Sequence, residues 1–104
     1  MFDTIIRGGT VLDGTGRPGF TADVGVTAGR ITAVGDLSAA QARRTIDASG
    51  KVVTPGFIDI HRHADAAAFR PGYGELELRQ GLTTIVNGNC GLSAAPFGGA
   101  HGDA

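Results

Sequence analysis

PGFIDIHRH, residues 55–63, is the stretch of this sequence that says most about its fold. Its segment FIDIH, residues 57–61, is apolar on both faces of an extended chain, which is typical of a parallel strand that is covered on both sides. A run of good helix formers, YGELELRQ at residues 73–80, ends at a glycine and is followed by the β-branched run LTTIVN at residues 82–87. Strand, helix and strand in this order predict one βαβ unit, and therefore the opening of an α/β domain.

Residues 1–54 have a different pattern, with short β-branched runs that are separated by turns containing glycine. Glycine accounts for 18 of the 104 residues, well above its usual share of about 7%. The alternating segments at residues 23–27 and 30–34 are joined by Ala28-Gly29, which predicts a β-hairpin. Half a dozen short strands of this kind predict a small antiparallel sheet or sandwich.

Charge and composition exclude several classes of partner. Nine basic and ten acidic side chains give a net charge of −1, whereas nucleic acids and anionic membranes select strongly basic surfaces. No run of about 18 apolar residues is present, so no membrane-spanning helix is predicted, and the N-terminal residues lack the pattern of a secretory signal. Cys90 is the single cysteine, so we expect a reducing compartment such as the cytoplasm.

Two histidines follow the predicted buried strand and are candidates for metal binding. Residues two apart on a strand point to the same face, so His61 and His63 would direct two imidazoles into one space, with Asp59 on the same side. Paired imidazoles suit a divalent transition metal, and a carboxylate can orient a ring through its other N–H group. The alternative is two ordinary histidines at a strand end, but the position after a buried strand favours the metal site.

Other candidate residues have more than one interpretation. Cys90 follows the second predicted strand and could be a zinc ligand, although from spacing alone a small buried hydrophobic residue is favoured. Asp65 could be a ligand or a loop cap, and capping is favoured. Arg62 and Arg70 could bind a substrate carboxylate, but exposed arginines need no such role. His101 is expected to be solvated in a glycine-rich tail.

The sequence resembles a known family at the residues quoted above. VTPGFIDIHRH, residues 53–63, resembles the opening metal motif of the amidohydrolase superfamily, and the segments IIRGGTVLDGTG and DVGVTAGRITAVG are similar to the β-domain that precedes it. QGLTTIVNGNCG, residues 80–91, is similar to the N-acyl-D-amino-acid deacylases, the D-aminoacylase group. The resemblance implies a small N-terminal β-sandwich domain over residues 1–54. It also implies the start of a TIM-type (β/α)8 barrel over residues 55–104, incomplete in this chain because such a barrel takes about 250 residues.

The resemblance also implies a metal site and an activity. His61 and His63 would be ligands at the more exposed metal position, and Cys90 would help to hold a tightly bound Zn2+. The implied reaction is zinc-dependent hydrolysis of a linear amide, from a small N-acyl-D-amino acid to a carboxylate and a D-amino acid. The general-base aspartate is expected beyond residue 104, so the 104-residue chain alone is expected to be inactive.

Two alternatives to this function stay open at this point. One is a cyclic-amide amidohydrolase of the dihydroorotase or hydantoinase kind, against which the Asn-Gly-Asn-Cys-Gly context of residues 87–91 argues. The other is a non-enzymatic truncated fragment that binds metal weakly at most. The sequence does not indicate the preferred acyl group or side chain, the number of metal ions or the oligomeric state.

Overall fold

The computed structural model describes residues 1–93, so the expectations for His101 and for the glycine-rich residues 97–104 lie outside the described residues. The chain divides into two compact units, Met1–Pro55 and Gly56–Ala104. The division is one residue from the domain boundary that the sequence predicts. None of the helices in residues 1–93 is long and apolar enough to cross a membrane.

The first unit is a five-stranded sheet in which the long first strand is central. The strands are β1 (Phe2–Val11), β2 (Phe20–Thr27), β3 (Arg30–Gly35), β4 (Ala42–Asp47) and β5 (Val52–Val53). Strand β1 is antiparallel to β2, β2 is antiparallel to β3, and both β4 and β5 pair with β1 in parallel. Strand β1 is continuous through Gly8-Gly9, where its pairing with β2 shifts register between Ile6 and Gly9.

The sequence predicts an antiparallel sheet, and this prediction is wrong for β4 and β5, which pair with β1 in parallel. The connection from β3 to β4 returns the chain to the start of β1, and the Arg7 side chain holds this connection. Its guanidinium donates to the carbonyl oxygens of Leu37 and Ala40, each at 2.8 Å. Asp23 accepts from the Leu37 N–H at 3.0 Å and lies 3.7 Å from Arg7. These side chains fix a crossover that no local turn signal could reveal.

The core of this unit is small, and one part of its sheet is open. Ile5 is fully buried, and a cluster of Val11, Ala22 and Val24 packs with neighbouring apolar side chains. Ile31 and Val34 are exposed and line an apolar groove of about 420 Å³. A sheet normally buries one face against a second layer. The first unit as described holds one sheet, so the second layer of the predicted sandwich is not seen.

Polar turns join the strands of this unit. Asp13, Asp36 and Asp47 each accept a hydrogen bond from the backbone N–H two residues later. The hydroxyl and then the backbone N–H of Thr15 lower the pKa of Asp13 from its ordinary value, and serine at the equivalent positions does the same for the pKa of the other two carboxyls. These aspartates are therefore ionised turn-formers.

The predicted hairpin is confirmed, and its turn carries backbone strain at one residue. Ala28 has φ +50° and Gly29 has φ +73°, as a two-residue type I′ turn requires. The Ala28 N–H donates to an Asp3 carboxylate oxygen at 2.7 Å. Alanine is poorly suited to the left-handed region, where an L-residue costs roughly 1–2 kcal/mol.

Ala28→Asn is therefore expected to raise the free energy of unfolding by about 0.5–1 kcal/mol, because asparagine tolerates positive φ and keeps the N–H donor. Urea unfolding followed by circular dichroism measures the change. Gly29→Ala is the matched variant, and it should destabilise. A decrease in stability for Ala28→Asn would contradict the strain argument.

The second unit contains a parallel pair of strands with a short helix between them. Strands β6 (Phe57–Arg62) and β7 (Leu82–Asn87) are parallel, and a 3₁₀ turn (Ala66–Phe69) and helix α1 (Glu75–Arg79) lie between them in the chain. The predicted βαβ order is thus confirmed. The predicted helix over residues 73–80 is shorter than expected, and Gly81 follows it with φ +81°.

The prediction that residues 57–61 form a buried strand is wrong for this structure. Phe57, Ile58 and Ile60 are 56%, 61% and 64% exposed. The reason is geometric, because a five-residue helix is about 7.5 Å long while a six-residue strand extends over about 20 Å. Within the described part of this unit, one short helix and two strands cannot cover both faces of the pair.

Candidate metal centre

The carboxyl end of β6 brings two imidazoles together. His61 lies in the strand and His63 follows directly after it. Their ring centroids are 5.4 Å apart, with the ring planes at 72°. Both side chains are exposed. The expectation that the two rings share one side of the strand end therefore agrees with the structure.

Cys90 reaches the histidines from the loop after β7. The Gly91 N–H donates to the Gly88 carbonyl oxygen at 3.1 Å, so residues 88–91 form a tight turn with Cys90 in its third position. The Cys90 sulfur lies 3.3 Å from Nε2 of His63 and 4.0 Å from its Nδ1. The cysteine is exposed, so its interpretation as a buried hydrophobic residue is wrong.

The chemistry of these donor atoms suits a zinc ion, and one pair of them already has the spacing of a zinc site. Three ligand atoms, one from each of His61, His63 and Cys90, lie within 4.8 Å of one another. A tetrahedral zinc ion with Zn–N of about 2.0 Å and Zn–S of about 2.3 Å places its ligand atoms about 3.3–3.6 Å apart. The contact of 3.3 Å between Cys90 and His63 already matches this spacing. Two imidazoles with one thiolate are also a donor set that zinc accepts.

Asp59 does not orient an imidazole ring, in contrast to the sequence-based expectation. One of its carboxylate oxygens accepts from the backbone N–H of His61 at 3.1 Å. The other lies 3.5 Å from a guanidinium nitrogen of Arg62. Both carboxylate oxygens of Asp59 make local contacts, because these donors lie only two and three residues further along the chain. Its support of the site acts on the backbone of β6.

Arg62 lies between the two histidines in the sequence, but its side chain contacts helix α1. Its guanidinium lies 2.5 Å from a carboxylate oxygen of Glu77, whose side chain is 13% exposed. This ion pair joins the strand that carries the imidazoles to α1. Arg62 is thus engaged within the unit, and a role in binding a substrate carboxylate has no support here.

The remaining candidates contribute no ligand to the cluster. Asp65 occupies the N-cap position of the 3₁₀ turn, but its side chain makes no capping hydrogen bond. Arg70 is exposed at the end of that turn. The position of Asp65 as a cap was predictable from the sequence, whereas the lack of a capping hydrogen bond to its side chain was not.

Two further residues of the site were not singled out from the sequence. The Asn89 side-chain amide donates to the Ile60 carbonyl oxygen at 2.7 Å, and the Asn87 side-chain oxygen accepts from the Ala64 N–H at 3.2 Å. Composition could have drawn attention to Asn87 and Asn89, because they are the two asparagines of the chain and both lie within three residues of Cys90.

Comparison with known proteins identifies close relatives. The chain is 49% identical over 100 residues to a D-aminoacylase from Alcaligenes xylosoxydans xylosoxydans, covering 96% of this chain and 21% of the relative. It is 53% identical over 95 residues to an N-acyl-D-glutamate deacylase from the same organism, covering 90% of this chain and 19% of the relative. The chain therefore spans about a fifth of the length of these curated relatives.

Solved structures that resemble the chain include the same two kinds of enzyme. A D-aminoacylase with a binuclear metal centre superposes with a TM-score of 0.86 at 55% identity, covering 97% of this chain and 21% of that one. An N-acyl-D-glutamate deacylase from Bordetella bronchiseptica, complexed with zinc and a phosphonate inhibitor, gives a TM-score of 0.86 at 51% identity over 92% of this chain and 20% of that one. An L-hydantoinase from Arthrobacter aurescens is more distant, with a TM-score of 0.65 at 32% identity over 84% of this chain and 20% of that one.

The match to a family sequence profile covers more than half of the chain. Residues 44–103 match the amidohydrolase family, and this range includes both histidines and the cysteine of the cluster. The family profile, the similar sequences and the similar structures thus agree, and the chain belongs to the amidohydrolase family.

Proposed function

We propose that the second unit supplies His61, His63 and Cys90 as ligands of a zinc centre that serves amide hydrolysis. The observation that carries the proposal is the approach of three ligand atoms to within 4.8 Å of one another at the carboxyl ends of two parallel strands. Active sites of barrel enzymes lie at these strand ends. The zinc-bound N-acyl-D-glutamate deacylase that resembles this chain supports the choice of metal.

The proposed substrate is a linear N-acyl-D-amino acid, which is hydrolysed to a carboxylate and a free D-amino acid. Support comes from relatives that are named D-aminoacylase and N-acyl-D-glutamate deacylase, at 49% and 53% identity. The larger fold would be a β-domain, over residues 1–54, followed by a (β/α)8 barrel whose first βαβ unit lies in residues 55–104. The single cysteine suits a reducing compartment, so a cytoplasmic location is part of the proposal.

The residues of this chain would hold and orient the metal. His61 and His63 would each offer a neutral ring nitrogen from β6, and Cys90 would offer a thiolate from the turn after β7. When bound, zinc supplies Lewis acidity toward water and the amide carbonyl. Asp59 would fix the backbone at His61, and the ion pair of Arg62 with Glu77 would fix the strand against α1. The general base would be an aspartate outside residues 1–104.

Cyclic-amide hydrolysis is the weaker candidate. The L-hydantoinase shares 32% identity and a TM-score of 0.65, against 55% and 0.86 for the D-aminoacylase. Cys90 also lies 3.3 Å from His63, so the residue within the deacylase-like motif takes part in the cluster itself.

Substrate profiling of the protein that carries this chain tests the proposed function. We expect hydrolysis of N-acetyl-D-amino acids to exceed that of the L-enantiomers by at least about tenfold, since even one extra or missing methylene in a hydrophobic pocket changes transition-state binding by about 1–3 kcal/mol. Chelation should abolish turnover and Zn2+ should restore it. Preferential opening of hydantoin or dihydroorotate would contradict the linear-amide proposal, and chelator-resistant turnover would contradict the metal.

A further inference from the structure

Two asparagine side chains bind the backbone on either side of the histidine pair. Asn89 donates to the carbonyl oxygen of Ile60, directly before His61, at 2.7 Å. Asn87 accepts from the N–H of Ala64, directly after His63, at 3.2 Å. The amide orientations follow from chemistry, because a carbonyl oxygen only accepts and a backbone N–H only donates.

The backbone ladder is irregular at this place. Strands β6 and β7 pair regularly at Ile58 with Thr84 and Asp59 with Ile85, and the next pair is Arg62 with Asn87. Between the last two pairs, two residues of β6 lie opposite one residue of β7, so the ladder contains a bulge. Bulges bend a strand and redirect side chains. The alignment of the two strand ends there depends on side-chain hydrogen bonds as well as on the ladder.

The position of the turn that carries Cys90 also depends on side-chain hydrogen bonds. Residues 88–91 are closed by one backbone hydrogen bond, from the Gly91 N–H to the Gly88 carbonyl oxygen. Gly88 and Gly91 both have positive φ, at +79° and +88°, a conformation that other residues rarely adopt. Asn87 precedes this turn and Asn89 lies within it, so each attaches the turn to the strand end that bears the imidazoles.

We infer that Asn87 and Asn89 are positioning residues that hold Cys90 against His61 and His63. Asn89 acts as a donor to Ile60, and Asn87 acts as an acceptor from Ala64. The inference deepens the proposed function, since it concerns the same metal site, but the contact between Cys90 and His63 that it explains exists without metal. Loss of an outer partner of a metal ligand typically weakens metal affinity 10–100-fold.

The same substitution at the two positions gives opposite expectations. Asn89→Asp removes the N–H donor and turns a carboxylate oxygen toward the Ile60 carbonyl oxygen, whereas Asn87→Asp keeps an oxygen that accepts from Ala64. Both variants add one negative charge beside the site, so the charge effect is matched. Asn89→Ala removes the donor without a charge. Gln80→Glu removes a similar donor, to the Leu76 carbonyl oxygen at 3.1 Å, and serves as the distant control.

The experiment has two readouts on the 104-residue chain. Without metal, nuclear Overhauser effects between Cys90 Hβ and the His63 ring protons report their proximity. With Co2+, titration gives the affinity and the intensity of the thiolate-to-cobalt charge-transfer band. Asn89→Asp and Asn89→Ala should lose the Overhauser effects, lower the affinity about tenfold and weaken the band. Asn87→Asp should keep the Overhauser effects, because a carboxylate oxygen still accepts from Ala64, and Gln80→Glu should match the unsubstituted chain in both readouts. Asn87→Ala should lose the Overhauser effects and affinity in the same way as the Asn89 variants.

The two readouts separate this inference from the proposed function. A chain that binds no Co2+ but loses the Overhauser effects only in Asn89→Asp, Asn89→Ala and Asn87→Ala would contradict the metal site and support the positioning role. Unchanged Overhauser effects and affinity in the Asn89 variants would overturn the positioning role. Equal losses in Asn87→Asp and Asn89→Asp would also overturn it, because charge alone would then explain both. Absence of the effects in the unsubstituted chain would overturn it as well.

Discussion

Replacing Cys90 with alanine is expected to lower the Zn2+ affinity of the chain by at least about 10²-fold. Complete four-ligand zinc sites in small peptides bind with about 10–16 kcal/mol, or roughly 3 kcal/mol per ligand, and 1.4 kcal/mol corresponds to a factor of ten. Cys90 would be the anionic ligand of the cluster, and its sulfur lies 3.3 Å from His63. Competition titration with a chromophoric chelator measures the affinity.

His63→Ala should have a comparable effect in the same titration. Asp65→Ala is the matched control, because Asp65 lies two residues from His63 and contributes no atom to the cluster. Equal Zn2+ affinity for Cys90→Ala and the unsubstituted chain would exclude the cysteine from the site.

The 104-residue chain alone is expected to show no measurable hydrolysis of N-acetyl-D-amino acids. Three exposed ligands give a weaker site than the four-ligand centres of structural zinc. The aspartate that would act as general base is expected outside residues 1–104, and loss of such a base commonly costs about 10²–10⁴ in rate. Apolar side chains of β6, such as Ile58 and Ile60, are also left exposed.

A coupled assay for the released D-amino acid tests this expectation on a preparation whose mass matches residues 1–104. The D-aminoacylase from Alcaligenes xylosoxydans xylosoxydans that the chain resembles is the positive control. Chelator-sensitive turnover by the verified 104-residue chain would contradict the expectation, and would mean that a second copy completes the site.

Local patterns predicted the parts of the fold that local chemistry determines. The hairpin at Ala28-Gly29 was predictable because a two-residue turn between alternating segments specifies the pairing beside it. The register shift between Gly25 and Val26 was not predictable from the alternation. The parallel pairing of β6 with β7 followed from the helix between them. The parallel position of β4 was not predictable, because it depends on hydrogen bonds of Arg7 to carbonyl oxygens 30 and 33 residues away.

The candidate site shows the same division between local and distant causes. The proximity of Cys90 to His63 follows from the strands that precede them, which end at the same edge of a parallel pair, although spacing alone favoured a buried hydrophobic role for the cysteine. The behaviour of Asp59 was not predictable, because period-two geometry gives the face of a side chain and not the donor that it meets. The expected burial of residues 57–61 failed for a related reason. An apolar strand pattern indicates what a strand could pack against, whereas its burial depends on which layers are present.

X-ray absorption at the zinc edge of the Zn2+-loaded chain would show whether His61, His63 and Cys90 bind the metal. We expect a first shell with one sulfur at about 2.3 Å and two imidazole nitrogens at about 2.0 Å, completed by a light atom. We also expect the outer-shell scattering of two imidazole rings, from His61 and His63. A shell made only of oxygen and nitrogen, with no sulfur, would show that Cys90 does not bind the metal and would contradict the proposed site.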